Sequence, residues 1–136
     1  MSTHEPFNNL LSQVSQAADL CFKPWKHAVI LIEKSSKEEI NNNFFDLLLL
    51  LECRDSQGER YPENDLEIEL FRSGNELNIT LAWHKFPDKP ILWQGIHSLW
   101  MDSVTGNRSS TPENGEMIEA FARKLRARFS LDTDIE

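Results

Sequence analysis

The fold is decided by residues 66–83, LEIELFRSGNELNITLAW, in which two alternating segments flank a short polar turn. Leucine or isoleucine recurs at every second position on both sides, which is the pattern of strands with one buried face. The turn, Ser73-Gly74-Asn75, contains a glycine, and glycine adopts the positive φ that tight hairpin turns require. This stretch therefore predicts an antiparallel hairpin.

Two strands are also predicted before the hairpin. Residues 27–32 form a short apolar run that ends at a polar cluster, which favours a buried strand. Residues 36–53 are ambiguous, because their capping signal and their apolar spacing also fit a helix. Three asparagines and five successive leucines disfavour that helix, so we interpret 44–53 as a strand at the centre of the sheet, buried on both faces, after a helical turn near Glu38.

Further elements are predicted at the two ends of the chain. A connection rich in proline leads from the hairpin to a predicted strand over residues 91–100. Residues 7–21 have the apolar spacing of an amphipathic helix. Residues 112–129 have the same spacing, with Thr111 as the predicted cap and Pro112 at the first helical position.

Together these elements predict an α+β fold of two layers. We expect an antiparallel meander sheet of about five strands, with an N-terminal and a C-terminal helix packed on one face. The 136 residues are enough for one hydrophobic core, so a single domain over 1–136 is expected. The ends, 1–5 and 131–136, are expected to be frayed.

Apolar patterning favours a cytoplasmic protein. The longest apolar stretch, residues 47–51, is far shorter than the roughly 20 residues of a membrane-spanning helix. The first residues lack the basic and apolar regions of a secretory signal. In the cytoplasm Cys21 and Cys53 are expected to stay reduced and to serve as small buried hydrophobic residues.

Charge restricts the partners that the protein can have. The formal net charge is −8, and between Glu52 and Glu76 eight acidic residues are opposed by three arginines. Nucleic acids and anionic membranes bind largely through Lys and Arg, so neither is expected as a partner. A nucleic-acid mimic is a further hypothesis, but it rests on the acidic charge alone.

No catalytic or cofactor motif is found in the sequence. Phosphate-binding loops, dinucleotide fingerprints, nucleophile elbows and paired-cysteine zinc spacings are all missing. The four histidines form no local pair at metal-ligand spacing, so we expect no cofactor and no metal, and a non-enzyme rather than an enzyme. Cys53 and His84 would make a nucleophile and base only if their strands were neighbours.

Aromatic and acidic residues suggest an interaction surface instead. Helices on one side of a sheet cannot cover the large apolar groups that the 91–100 strand carries on both sides. The apolar groups could instead be buried, if this strand is central in the sheet or if the 102–115 loop folds over it. The acidic residues could instead form an ordinary solvated face of the sheet. The candidate interaction surface comprises Trp83, Trp93, Trp100, Glu67 and Glu69.

The leading hypothesis is a small acidic protein-interaction module of the adaptor, chaperone, inhibitor or immunity type. Its partner would be another protein with a basic surface. The alternative is a small-molecule-binding domain or small enzyme, with a pocket between sheet and helices lined by Trp83, Trp93 and His97 and gated by the 102–115 loop. A flat apolar patch beside the acidic hairpin favours the first, and a concave pocket with convergent polar groups favours the second.

Overall fold

The computed structural model describes residues 6–33, 44–112 and 115–129, which form two α-helices and six β-strands. The helices are α1 (Pro6–Cys21) and α2 (Gly115–Phe129). The strands are β1 (Lys26–Glu33), β2 (Phe44–Arg54), β3 (Leu66–Ser73), β4 (Glu76–Trp83), β5 (Leu92–Gln94) and β6 (Ser98–Trp100). Within these ranges, neither helix is long and apolar enough to cross a membrane.

The six strands form one sheet in which each strand pairs antiparallel with the next strand in sequence. The predicted hairpin joins β3 and β4 through a turn in which Gly74 has a φ of 62°. This left-handed conformation is one that glycine adopts without steric cost. The predicted α+β meander is therefore confirmed, with six strands where about five were expected.

The core lies between one face of the sheet and the two helices, which also contact each other. Leu47, Leu49 and Leu51 of β2 are fully buried. They belong to one apolar cluster with Val14 of α1 and Phe121 of α2. Each such side chain contributes about 1.5–3 kcal/mol of hydrophobic free energy when it leaves water.

The leucine-rich strand is buried on one face only. The prediction of a strand over residues 44–53 is confirmed, but the expectation that both of its faces are buried is wrong. Leu48 and Leu50 are half-buried, whereas Leu49 between them is fully buried. Successive side chains point to opposite faces, and the described helices cover one of these faces. The helical turn expected near Glu38 lies outside the described residues.

The single strand expected over residues 91–100 is instead a hairpin of β5 and β6. Gly95 lies in the turn, and a Cβ at this position would be 2.9 Å from Oδ1 of Asn78. The close approach of the backbone to β4 suits glycine, which is a poor residue for continuing a strand. The chain reverses there, and Leu92 pairs with Trp100.

Helix α2 is described from Gly115, and Pro112, the predicted first helical residue, is a loop residue. The amide of Gly115 donates a hydrogen bond of 3.0 Å to the carbonyl of Pro112. A Cβ on Gly115 would be 2.9 Å from Cη2 of Trp100, so the helix starts against the buried indole. Thr111, the predicted cap, is an exposed loop residue.

The one-sided core leads to a paired test on β2. Leu49→Lys is expected to abolish soluble expression, because a buried ammonium without a partner costs several kcal/mol of a total stability of roughly 5–15 kcal/mol. Leu48→Lys is the matched control, since its side chain lies on the other face and can reach water. A soluble Leu49→Lys protein with an unchanged thermal midpoint would show that the core assignment is wrong.

Candidate functional site

The face of the sheet opposite the helices, here called the open face, carries an apolar surface. Residues paired across strands share a face, so the registers place Leu50 beside Ile30 and Glu67, and Trp93 beside Thr80 and Leu99. The apolar residues at these outward positions are Ala28, Ile30, Leu48, Leu50, Phe71, Ala82, Trp93 and Leu99. Antiparallel sheets with one solvated face usually carry polar residues there.

Several of these side chains are accessible to solvent. Ile30 is 44% exposed and Trp93 is 46% exposed. Ile32, beside the irregularity in β1, is also 44% exposed. Contiguous apolar surface of this kind is characteristic of binding sites, whereas isolated exposed apolar residues are common on all proteins.

A carboxylate of β3 lies among these apolar residues. Glu67 pairs in register with Leu50 on one side and with Ala82 on the other. Its Oε2 atom is 2.8 Å from Nδ1 of His84. A carboxylate only accepts hydrogen bonds, so Nδ1 of His84 carries the proton and donates it.

A second carboxylate, Glu69, lies one row further along the open face. It pairs in register with Leu48 and with Thr80. A hydrogen bond with Asp46, together with burial and the charge of Asp46, raises the pKa of Glu69 to about 7. Glu69 therefore keeps its proton below that pH, and a cation brought close to it would favour release of the proton.

Three of the five predicted surface residues lie on the open face. Glu69, Thr80 and Trp93 form one row across β3, β4 and β5. Glu67 lies in the adjacent row on the same face, because it precedes Glu69 by two residues along β3. This arrangement brings the exposed indole and the acidic hairpin onto one surface.

The other two predicted residues lie on the helix side. Trp100 is buried in the core at 6% exposure. The amide of Ser109 donates a hydrogen bond of 3.0 Å to its carbonyl, so the loop after β6 packs against this strand, which was one of the alternatives. Trp83 pairs with Leu66 and is half-buried beside a cavity. The three tryptophans therefore do not form one surface.

Sequence reasoning missed the aliphatic half of the open face. Leu48 and Leu50 were assigned to a strand buried on both faces, and Ile30 to a buried strand, because their segments are continuously apolar. The sequence did contain a signal for this surface, because it predicts only two helices to cover the sheet. The two described helices lie on one side of the sheet, so every second residue of those apolar runs faces away from both of them.

The predicted catalytic alternative is not assembled. Cys53 lies on the helix side of β2, where its partner in register is His27, whereas His84 lies on the open face with Glu67. Burial raises the pKa of the Cys53 thiol, with Asp65 adding to this effect and Arg60 opposing it. Within residues 6–33, 44–112 and 115–129, no three acidic, His or Cys side chains are grouped as metal ligands.

The pocket proposed by the rival hypothesis is lined differently from the expectation. A cavity of about 370 Å³ lies between sheet and helices, and Trp83 lines it. Trp93 is on the opposite face of the sheet, and His97 is exposed in the turn between β5 and β6. The cavity is lined instead by His27 and Cys53.

Comparison with known proteins gives a family without an assigned activity. A family model described as "Domain of unknown function (DUF8659)" matches residues 11–128, a span that includes all six strands and most of both helices. No curated protein and no solved structure matches the chain.

The Glu69–Asp46 contact predicts a specific dependence of stability on pH. The folded-state pKa of about 7 lies above the ordinary value of 4.5, so the folded state holds a proton that the unfolded state releases. Stability from this proton is present below pH 4.5 and is lost as the pH rises through 7. Glu69→Gln removes the titration, and its thermal midpoint should exceed that of the wild type at pH 8 by on the order of a few degrees, but not at pH 5.

Glu76→Gln is the control, because it removes a carboxylate from the exposed end of the same hairpin. The difference in thermal midpoint between Glu76→Gln and the wild type should be the same at pH 5 and at pH 8. Parallel midpoint curves for Glu69→Gln and wild type between pH 5 and pH 8 would rule out the raised pKa of Glu69.

Proposed function

This chain belongs to the family described as "Domain of unknown function (DUF8659)", and we propose that it is an interaction module that binds another protein through the open face. One observation carries the proposal: exposed apolar side chains and carboxylates occupy the same side of the sheet, opposite the two described helices. Adaptor, chaperone, inhibitor and immunity proteins are the functional types that such a surface suits.

The apolar part of the surface supports a partner segment that is itself apolar. Trp93 is the natural anchor, because a large indole gains much free energy when it is buried and tryptophan is enriched among the residues that dominate interfaces. Ile30 and Leu50 extend the contact over β1 and β2. About 25 cal/mol is gained for each Å² of apolar surface removed from water.

The acidic part supports a partner with lysine or arginine. Asp46, Glu67 and Glu69 lie on the open face along β2 and β3, whereas the basic residues of that face, Lys26 and Arg54, lie together at one end of β1 and β2. The hydrogen bond with Asp46, burial and the charge of Asp46 raise the pKa of Glu69 to about 7, and a nearby cation would lower this pKa by stabilising the ionised carboxylate. The same carboxylates repel phosphate groups, so the proposal excludes nucleic acid as the partner of this face.

We also propose a cytoplasmic location. Cys21 and Cys53 are both free thiols in the structure. Thiols persist in a reducing compartment, whereas secreted domains of this size commonly pair them.

A peptide library displayed on phage tests the proposal, because selection from random sequences does not require the partner to be identified. Peptides selected on the wild-type protein should combine apolar residues with Lys or Arg. Trp93→Ala should weaken their binding by about 30-fold, equivalent to about 2 kcal/mol, with little change in thermal midpoint. Phe86→Ala is the matched control, because Phe86 is 48% exposed in the loop after β4 and should alter neither quantity.

Charge provides the second part of the same experiment. Binding of the selected peptides should weaken as salt is added, and this dependence should become shallower in Glu67→Gln, because a carboxylate that attracts the peptide is lost. Selection of acidic peptides, or binding that Trp93→Ala and Phe86→Ala affect equally, would contradict the proposal.

A further inference from the structure

The cavity of about 370 Å³ on the helix side of the sheet is separate from the open face. It lies where α1 leads into β1, beside the start of α2 and the end of β4. Its size falls in the range of roughly 300–1,000 Å³ that is usual for small-molecule sites with apolar walls. The apolar walls are formed by Phe22, Trp25, Leu66, Trp83, Met117 and Ile118.

The aromatic walls are held in place by neighbouring rings. The ring centroid of Phe22 lies 5.3 Å from that of Phe121 and 5.5 Å from that of His27. Trp25 packs edge-on against Tyr61 at a centroid distance of 4.8 Å. These are the favoured separations of aromatic pairs, so the cavity is formed before any ligand enters.

His27 supplies a directed hydrogen-bond acceptor in the cavity wall. Its side chain is only 4% exposed, and its Nδ1 atom lies 3.0 Å from Oδ1 of Asp19. Since the carboxylate only accepts, Nδ1 carries the proton. Burial lowers the pKa of His27 although Asp19 opposes this effect, so the ring is neutral at pH 7. Nε2 is then an unprotonated acceptor, and it is the ring nitrogen left for a ligand.

Cys53 lies next to His27 and, with Asn64, forms the rest of the polar part of the wall. Its amide donates to Oδ1 of Asp65 at 2.8 Å, and its carbonyl accepts from Arg60 and from the amide of Tyr61. Both groups point away from β1, so Cys53 and His27 form a non-hydrogen-bonded pair, in which side chains approach closely. The thiol is neutral, as burial dictates, and adds a weak donor rather than a nucleophile.

We propose that this cavity binds a small, flat, neutral molecule with an aromatic ring and an N–H or O–H group that donates to Nε2 of His27. Flat rings suit walls made by Phe22, Trp25 and Trp83. The described lining residues include no Asp, Glu, Lys or Arg, and a charge placed there would lose its hydration without a partner. The proposal does not depend on the function of the open face, which lies across the sheet.

Three related probes test the assignment: indole, 1-methylindole and indole-3-acetate. Binding is followed by NMR through the methyl signals of Met117 and Ile118 in the cavity, with the methyl of Ile30 on the open face as the internal control. Indole should shift the two cavity signals saturably and should bind about fivefold to tenfold more tightly than 1-methylindole, which lacks the donor. Indole-3-acetate should bind more weakly than either, because its carboxylate is charged.

His27→Phe keeps a ring in the wall and removes the acceptor. In this variant indole and 1-methylindole should bind equally. If the variant fails to fold, the comparison of the three probes on the wild type still decides the matter. Absence of saturable shifts at Met117 and Ile118 up to millimolar indole, equal wild-type affinities for indole and 1-methylindole, or tightest binding of indole-3-acetate would each overturn the proposal.

Discussion

A six-stranded sheet has two faces, and the described helices of this protein cover one of them. Because side chains alternate along a strand, half of the residues in every apolar run face the described helices and the other half face away from them. In β2 the division separates fully buried Leu49 from half-buried Leu48 and Leu50. The stability of the domain rests on the first set, and the proposed binding surface consists of the second.

The carboxylates of the open face are costly where they lie. Glu67 and Glu69 each have apolar neighbours in register, which deprive them of part of their hydration. Glu67 is hydrogen-bonded to His84, and Glu69 is hydrogen-bonded to Asp46. A basic partner would replace these internal hydrogen bonds with ion pairs. In the proposed interaction, the charge on the partner would relieve a cost already present in the free protein.

Local sequence patterns predicted the elements whose conformation depends on residues that are close together in the chain. The β3–β4 hairpin follows from alternation around Gly74, and the two helices follow from apolar spacing. The break at Gly95 was missed, because it depends on how closely β5 approaches Asn78 of another strand. The positions of Trp93 and Trp100 on opposite faces likewise depend on where that turn falls.

The candidate sites were harder to predict than the fold, since they depend on contacts between distant segments. Glu67 and Glu69 were predicted to point outward from local alternation, but the contact of Glu69 with Asp46 requires the β2–β3 register. The alternative hypothesis predicted a pocket between sheet and helices and placed Trp83 in its lining, but it missed His27 and Cys53, because these residues lie on other strands.

The central claim is that the open face binds apolar and basic chains, and NMR titration with a synthetic peptide of alternating leucine and lysine tests it most directly. The methyl of Ile30 and the indole N–H of Trp93 should shift saturably, whereas the methyls of Met117 and Ile118 should remain in place. A peptide of alternating leucine and glutamate should bind at least roughly tenfold more weakly, because the carboxylates of the face repel it. Equal binding of the two peptides, or shifts confined to Met117 and Ile118, would contradict the account.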